Sequence, residues 1–216
     1  MLIQPDLGLI FIHVPKSGGS SVKAMLRALP GFQALPEGLW THSSAADARR
    51  VLGAETFDRC WRFAVVRHPA PRLLSWAAFR LDRAEDRQRR RAASLPVKAG
   101  TTAERDAAVI AEMKGRDPVD WIVNTPHSVD KFGFEPKRQD QTAWFEDAEG
   151  RRLVDAVYRL EDAAVWGPAL AARVGLKGCL PHANRSSATA GPIDRRLAAF
   201  VRRHHQRTLT AFDYRL

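Results

Sequence analysis

Gly8-Leu9-Ile10-Phe11-Ile12-His13-Val14-Pro15-Lys16-Ser17-Gly18-Gly19-Ser20-Ser21 is the stretch on which the reading of this chain turns. Its first half is a continuous apolar run with β-branched and aromatic residues, the pattern of a strand buried on both faces in a parallel sheet. Pro15 through Ser21 breaks that run. Val22-Lys23-Ala24-Met25-Leu26-Arg27-Ala28-Leu29 then places apolar residues at helical spacing until Pro30-Gly31 stops it. A strand, tight turn and helix in this order aim unpaired backbone N–H groups and the positive end of a helix dipole at one point, where an anion belongs. Gly18 and Gly19 permit close backbone approach and positive φ, Ser17, Ser20 and Ser21 add hydroxyl donors, and Lys16 adds a mobile positive charge.

Working outward, Arg62-Phe63-Ala64-Val65-Val66 predicts a second strand, followed by a helix from Pro71 to about Arg91. Asp155-Ala156-Val157-Tyr158-Arg159-Leu160 predicts a third, leading into a helix over Ala163–Val174 that Gly175 terminates. Strands alternating with helices imply an α/β, P-loop-like three-layer fold with a central parallel β-sheet flanked by helices. Leu81–Val123 reads as mainly helical and strongly charged. Its cluster of Arg83, Arg87, Arg89, Arg90 and Arg91 is either a solvated helix face or a basic wall facing substrate. Asn124–Pro136 reads as loop. A last helix is expected over Ile193–Phe212, with Leu197, Phe200, Val201, Leu209 and Phe212 on its apolar side and His204 and His205 exposed.

With 216 residues, 45% of them hydrophobic, a single domain over 1–216 is expected, carrying a helical, charged insertion at about 77–138. The net charge of +10 draws anions: nucleotides, nucleic acid, acidic polysaccharide or lipid headgroups. Cys60 and Cys179 form neither a C-x-x-C pair nor a metal-spaced cluster, so free, buried thiols are expected and no metal site. The opening Met1-Leu2-Ile3-Gln4-Pro5-Asp6 lacks a basic leader, and the apolar run Leu9–Val14 is too short for a signal core or membrane span, which points to a cytoplasmic protein.

The ATP/GTP phosphate loop reads G-x-x-x-x-G-K-[ST], with its Lys after the glycines. Here Lys16 precedes them, so it reaches the oxygen bridging the bound phosphate to the group transferred. Phe11-Ile12-His13-Val14-Pro15-Lys16-Ser17-Gly18-Gly19-Ser20-Ser21 resembles the 5′-phosphosulfate loop of the sulfotransferase superfamily, in its carbohydrate sulfotransferase-like (family 2) branch. Phe63-Ala64-Val65-Val66-Arg67-His68-Pro69 with Arg72-Leu73-Leu74-Ser75-Trp76 resembles that family's 3′-phosphate motif. Gln141-Thr142-Ala143-Trp144-Phe145, Arg159-Leu160-Glu161-Asp162, Leu180-Pro181-His182-Ala183-Asn184-Arg185-Ser186 and Phe212-Asp213-Tyr214 follow in the order seen in bacterial members. Two positions depart from the pattern: His68 where Asn is usual, and Ala70 where an aromatic is common.

The resemblance implies 3′-phosphoadenosine-5′-phosphosulfate (PAPS) as donor and 3′-phosphoadenosine-5′-phosphate (PAP) as product. Lys16 and the Ser17–Ser21 loop would hold the 5′-phosphate, and Arg67 and Ser75 the 3′-phosphate, with Arg185 as a further phosphate ligand. The sulfuryl group carries less charge than a γ-phosphate, so a metal ion is not obligatory. A hydroxyl acceptor needs a base, and histidine suits neutral pH. His42, in Thr41-His42-Ser43-Ser44, lies before a predicted helix start where the resemblance places a catalytic histidine. His13 reads as a core or supporting group, and His182 as a nucleotide-side element or plain loop. Arg159 and Glu161 leave the third strand at its C-terminal end, where Glu161 serves as base or acceptor-orienting carboxylate unless one of the two is a structural ion-pair partner. The implied acceptor is a hydroxyl of a carbohydrate or glycoconjugate, anionic or lipid-linked, with no nucleic acid partner. Two readings compete: a basic nucleic-acid-binding or scaffold protein with a degenerate loop, and a nucleotide-dependent kinase, which the order of Lys16 and the glycines and the position of Arg67 disfavour.

Overall fold

The computed structural model describes residues 1–29, 34–97, 101–125, 135, 137–177, 180 and 193–216. Their order is β1 (Leu2–Gln4), β2 (Leu9–Ile12), α1 (Gly19–Leu26), α2 (Ala45–Leu52), α3 (Ala54–Arg59), β3 (Trp61–Val66), α4 (Pro69–Ala92), α5 (Ala103–Met113), α6 (Pro118–Asn124), β4 (Ala156–Arg159), α7 (Ala163–Arg173) and α8 (Arg195–Ala211). Short 3-10 turns lie at Pro5–Leu7, Gln141–Trp144 and Leu160–Asp162. No described helix is long and apolar enough to cross a membrane.

The strands make one four-stranded sheet in the order β1-β2-β3-β4. β2, β3 and β4 run parallel, with Phe11 opposite Phe63 and Phe63 opposite Ala156. β1 is antiparallel to β2 and pairs Leu2 with Phe11. The sequence reading missed it, because three residues folded back through Pro5–Leu7 and Gly8 show no period of their own.

Alternation along the strands divides the interior into two layers of side chains. Ile10, Ile12, Ala64 and Val66 pack with Ala48, Phe57, Leu73, Trp76, Ile122, Leu197 and Val201. Leu9, Phe11, Phe63 and Val65 pack on the opposite face with Val22, Leu26, Trp166 and Leu170. Each Val, Leu, Ile or Phe side chain among them contributes about 1.5–3 kcal/mol on full burial. Helices therefore cover both faces of the sheet, as expected for three layers, and the strand ends of β2, β3 and β4 point the same way.

The arginine cluster of α4 divides its tasks. Arg87 and Arg91 each reach the buried Asp106 of α5 at 2.5 Å, which lashes α5 to α4. Arg90 donates through Nε to the Pro96 carbonyl at 2.8 Å, Arg89 faces Asp86 at 4.0 Å, and Arg83 lies against the Phe79 ring. Neither a uniform solvated face nor a continuous basic wall describes it.

His205 corrects an expectation of exposure. It is 0% exposed, at a break in α8 where φ is −129°, and its Nε2–H donates to the Lys137 carbonyl at 2.7 Å. Its place four residues from both Val201 and Leu209 puts it on the buried stripe. His204 is half-buried against the Phe200 ring, 4.5 Å between centroids. Cys60 is a buried free thiol, as expected. Cys179 and most of the predicted 124–136 loop lie outside the described residues.

Candidate active site

The loop between β2 and α1 sits at the C-terminal edge of the sheet and is held open by two glycines for two different reasons. Gly18 caps α1 with φ 77°, and a Cβ there would also stand 2.5 Å from the Leu160 side chain. Gly19 is required by proximity alone: a Cβ would fall 1.9 Å from the His13 imidazole. Lys16 adopts φ 65°, a left-handed conformation uncommon for a residue with a side chain. The Ser21 and Val22 amides both return to the Gly18 carbonyl, at 3.0 and 3.3 Å. The Gly19 and Ser20 amides precede those bonds and have no acceptor within the helix.

Gln141 fastens this loop to the end of β3. Its Oε1 accepts from Ser17 Oγ at 3.1 Å and from the Arg67 amide at 3.0 Å, while its Nε2 donates to the Arg67 carbonyl at 2.7 Å. The Gln141 amide is anchored in turn on Thr208 Oγ1 of α8 at 3.2 Å, and Asp140 accepts from the same hydroxyl at 2.6 Å. One fully buried amide side chain thus sets the position of both segments expected to hold phosphate. The sequence analysis quoted Gln141 within a motif but gave it no role.

Two half-buried cations converge here. Burial pushes the Lys16 ammonium down from the usual lysine range, Arg67 pushes it further, and Asp82 opposes them. Burial likewise lowers Arg67, opposed by Glu161 and Tyr214. Among the described residues neither cation has a carboxylate oxygen within 4.0 Å. The Lys16 Nζ instead rests 4.0 Å from the centre of the Phe79 ring, a contact worth about 0.5–1 kcal/mol at an exposed site. Two mutually repelling cations beside a helix start are a donor set that fits a multiply charged phosphate anion.

His42 reaches the loop through His13. Its Nδ1 lies 3.0 Å from the His13 carbonyl, and the two rings are 4.4 Å apart. A carbonyl only accepts, so Nδ1 carries the proton and Nε2 presents a lone pair. The backbone is steadied by Trp144 Nε1, which donates to the His42 carbonyl at 3.1 Å, and by Ser44, whose capping box with Asp47 starts α2. His13 itself is buried between Gly19 and His42, and burial, reinforced by neighbouring charges including Lys23 and Lys16, holds its pKa well below the ordinary value.

Ser75 is buried on α4. His68 caps that helix: its Nδ1 accepts from the Ala70 amide at 3.2 Å, and its Nε2–H donates to the Arg215 carbonyl at 2.8 Å. A histidine can therefore replace the expected asparagine at this cap. Glu161 uses both oxygens structurally, accepting from the His68 amide at 2.8 Å and from the Tyr214 hydroxyl at 2.7 Å. Arg159 faces Asp162 at 3.5 Å, donates to the Phe212 carbonyl at 3.3 Å and lies 4.7 Å from the Tyr214 ring. The structure thus brings Lys16, Ser17, Gly18, Gly19, Arg67, His13 and His42 around one edge of the sheet. His182 and Arg185 lie outside the described residues.

Residues 1–105 match the model described as the sulfotransferase family. That span contains the loop, His42, Arg67 and Ser75, whereas Gln141 and Glu161 lie beyond it. Comparison with curated proteins and with solved structures returns no match.

Proposed function

We propose, for a chain that belongs to the sulfotransferase family through its residues 1–105, that it transfers the sulfuryl group of PAPS to a hydroxyl of a carbohydrate or glycoconjugate. The family supports sulfuryl transfer as the reaction. The observation that carries the donor assignment is the pair Lys16 and Arg67: two half-buried cations without a carboxylate partner among the described residues, fixed through one glutamine.

When bound, the donor supplies an activated sulfuryl group on a phosphate leaving oxygen. The Gly19 and Ser20 amides and the hydroxyl of Ser20 hold the 5′-phosphate. Lys16 meets the bridging oxygen and stabilises the charge that grows there as the sulfur–oxygen bond breaks. Arg67 and Ser75 hold the 3′-phosphate. His42 Nε2 accepts the acceptor's hydroxyl proton as the new oxygen–sulfur bond forms, and the His13 carbonyl stabilises the resulting imidazolium through the Nδ1–H bond. Glu161, with both oxygens already bonded, braces the His68 turn.

Calorimetric titration with PAP, AMP and ATP tests the donor reading. PAP is expected to bind at about −8 kcal/mol, in the micromolar range, with AMP much weaker and with Arg67→Ala erasing the difference. Preference for ATP with magnesium, or no binding of PAP, overturns it.

A further inference from the structure

Phe79 is a large aromatic left 46% exposed on α4, although its neighbour Trp76 is buried. Ser75, Phe79 and Arg83 follow each other at four-residue spacing and so form one stripe along the helix. The stripe begins at the buried hydroxyl assigned to the 3′-phosphate and runs outward. Arg87 and Arg91 continue it, but both are engaged by Asp106. Arg83 is exposed, forms no ion pair among the described residues, and keeps its guanidinium carbon 5.7 Å from the centre of the Phe79 ring. The same ring carries the Lys16 ammonium at 4.0 Å. A half-exposed aromatic ring flanked by two cations, one of them the group assigned to the leaving oxygen, thus lies beside the proposed site of transfer.

We propose that Phe79 and Arg83 form the acceptor platform of this site, taking a molecule that offers an apolar ring face and an anionic substituent. The ring face of a sugar or aryl group packs on Phe79, and its acidic group pairs with Arg83. The inference rests on the donor reading above and adds an order to it. In the free protein Lys16 covers the ring, and the bound donor draws the ammonium to its phosphate oxygen and uncovers it. The platform is therefore complete only after the donor has bound.

The test uses the full chain and two probes, 4-nitrophenyl β-glucuronide and its neutral counterpart 4-nitrophenyl β-glucoside, titrated by NMR with and without saturating PAP. Both probes are expected to bind more tightly with PAP present. Phe79→Leu weakens both by about 5- to 10-fold, Phe79→Trp restores them, and Arg83→Gln weakens the glucuronide alone. PAP binding reports that the variants fold: its affinity is unchanged in Arg83→Gln, and rises by about 2- to 5-fold in Phe79→Leu, where the competing Lys16 contact is gone. The Lys16 ε-methylene protons supply an independent readout: they are shifted upfield by the ring in the free protein, and either PAP or Phe79→Leu relieves the shift. If PAP binds but neither probe does, if the probes ignore PAP and Phe79→Leu alike, or if the Lys16 signal shows no ring shift, the platform is overturned. Failure of PAP itself to bind removes the donor reading and the ordering together.

Discussion

Lys16 and Gln141 illustrate how differently two site residues act. In the proposed reaction Lys16 meets charge that develops on the leaving oxygen, so Lys16→Ala is expected to lower turnover by about 100- to 1,000-fold while the Kd for PAP changes less than about 10-fold. Calorimetry and single-turnover rates on the same preparation separate the two effects. Because burial and Arg67 lower the Lys16 pKa in the free protein, and a bound phosphate raises it, protons are taken up on binding at alkaline pH. PAP affinity is then flat below the free-state pKa and falls as pH rises through it, earlier than for an ordinary lysine. Lys16→Arg keeps its charge and flattens that part of the profile. Gln141→Leu leaves Ser17 Oγ and both Arg67 backbone groups without their partner, each worth about 1–3 kcal/mol when buried. It is expected to reduce stability by a few kcal/mol and, through the loosened loop, to weaken PAP binding as well. Denaturant unfolding and calorimetry check both. The Lys16 loop could be singled out as an anion-binding candidate because its residues are contiguous. Gln141 could not, since a buried amide bonded on both sides leaves no pattern in its own neighbourhood.

At the level of elements, period alone located β2, β3, β4, α4, α7 and α8 to within a few residues, because each presents a continuous apolar face. β1 escaped for lack of length, and the buried stripe of α8 was read correctly at Leu197, Val201 and Leu209 but not at His205, whose polarity masked its position. The charged helical segment could not be apportioned from sequence, since salt-bridge partners on separate helices have no fixed spacing. Asp106 is where that ambiguity resolves: its carboxylate is held below the usual range, by Arg87 above all, against the opposing effect of burial. Asp106→Ala leaves two arginines facing an emptied site and is expected to cost about 3–5 kcal/mol, the scale for breaking a buried pair. Urea unfolding measures the loss. PAP affinity is expected to hold, because Arg87 and Arg91 lie about three and four turns along α4 from Ser75.

For the whole molecule, two buried histidines couple folding to pH. Burial first, then Arg72, lowers His205 to about 3, and burial lowers His13 in the same direction. Below about 6.5 the unfolded chain takes up protons that the folded chain refuses, so stability falls as pH falls, by up to about 1.4 kcal/mol per unit for each histidine. The urea midpoint is expected to drop between pH 7.5 and 5, and His205→Gln, which keeps a donor toward the Lys137 carbonyl, is expected to shrink that drop. An unchanged pH dependence in that variant would place the effect elsewhere.

By itself the sequence determined the alternation of strands and helices and the strand, turn and helix around Lys16, since hydrophobic period, turn residues and charge are local properties. Tertiary structure alone decided what closes on that loop. Gln141 arrives from 124 positions away. Leu160 fills the space that makes Gly18 necessary, and His13 wedges between Gly19 and His42. These contacts follow from the order of strands in the sheet and from burial shared between distant segments, and neither is written in the spacing of neighbouring residues.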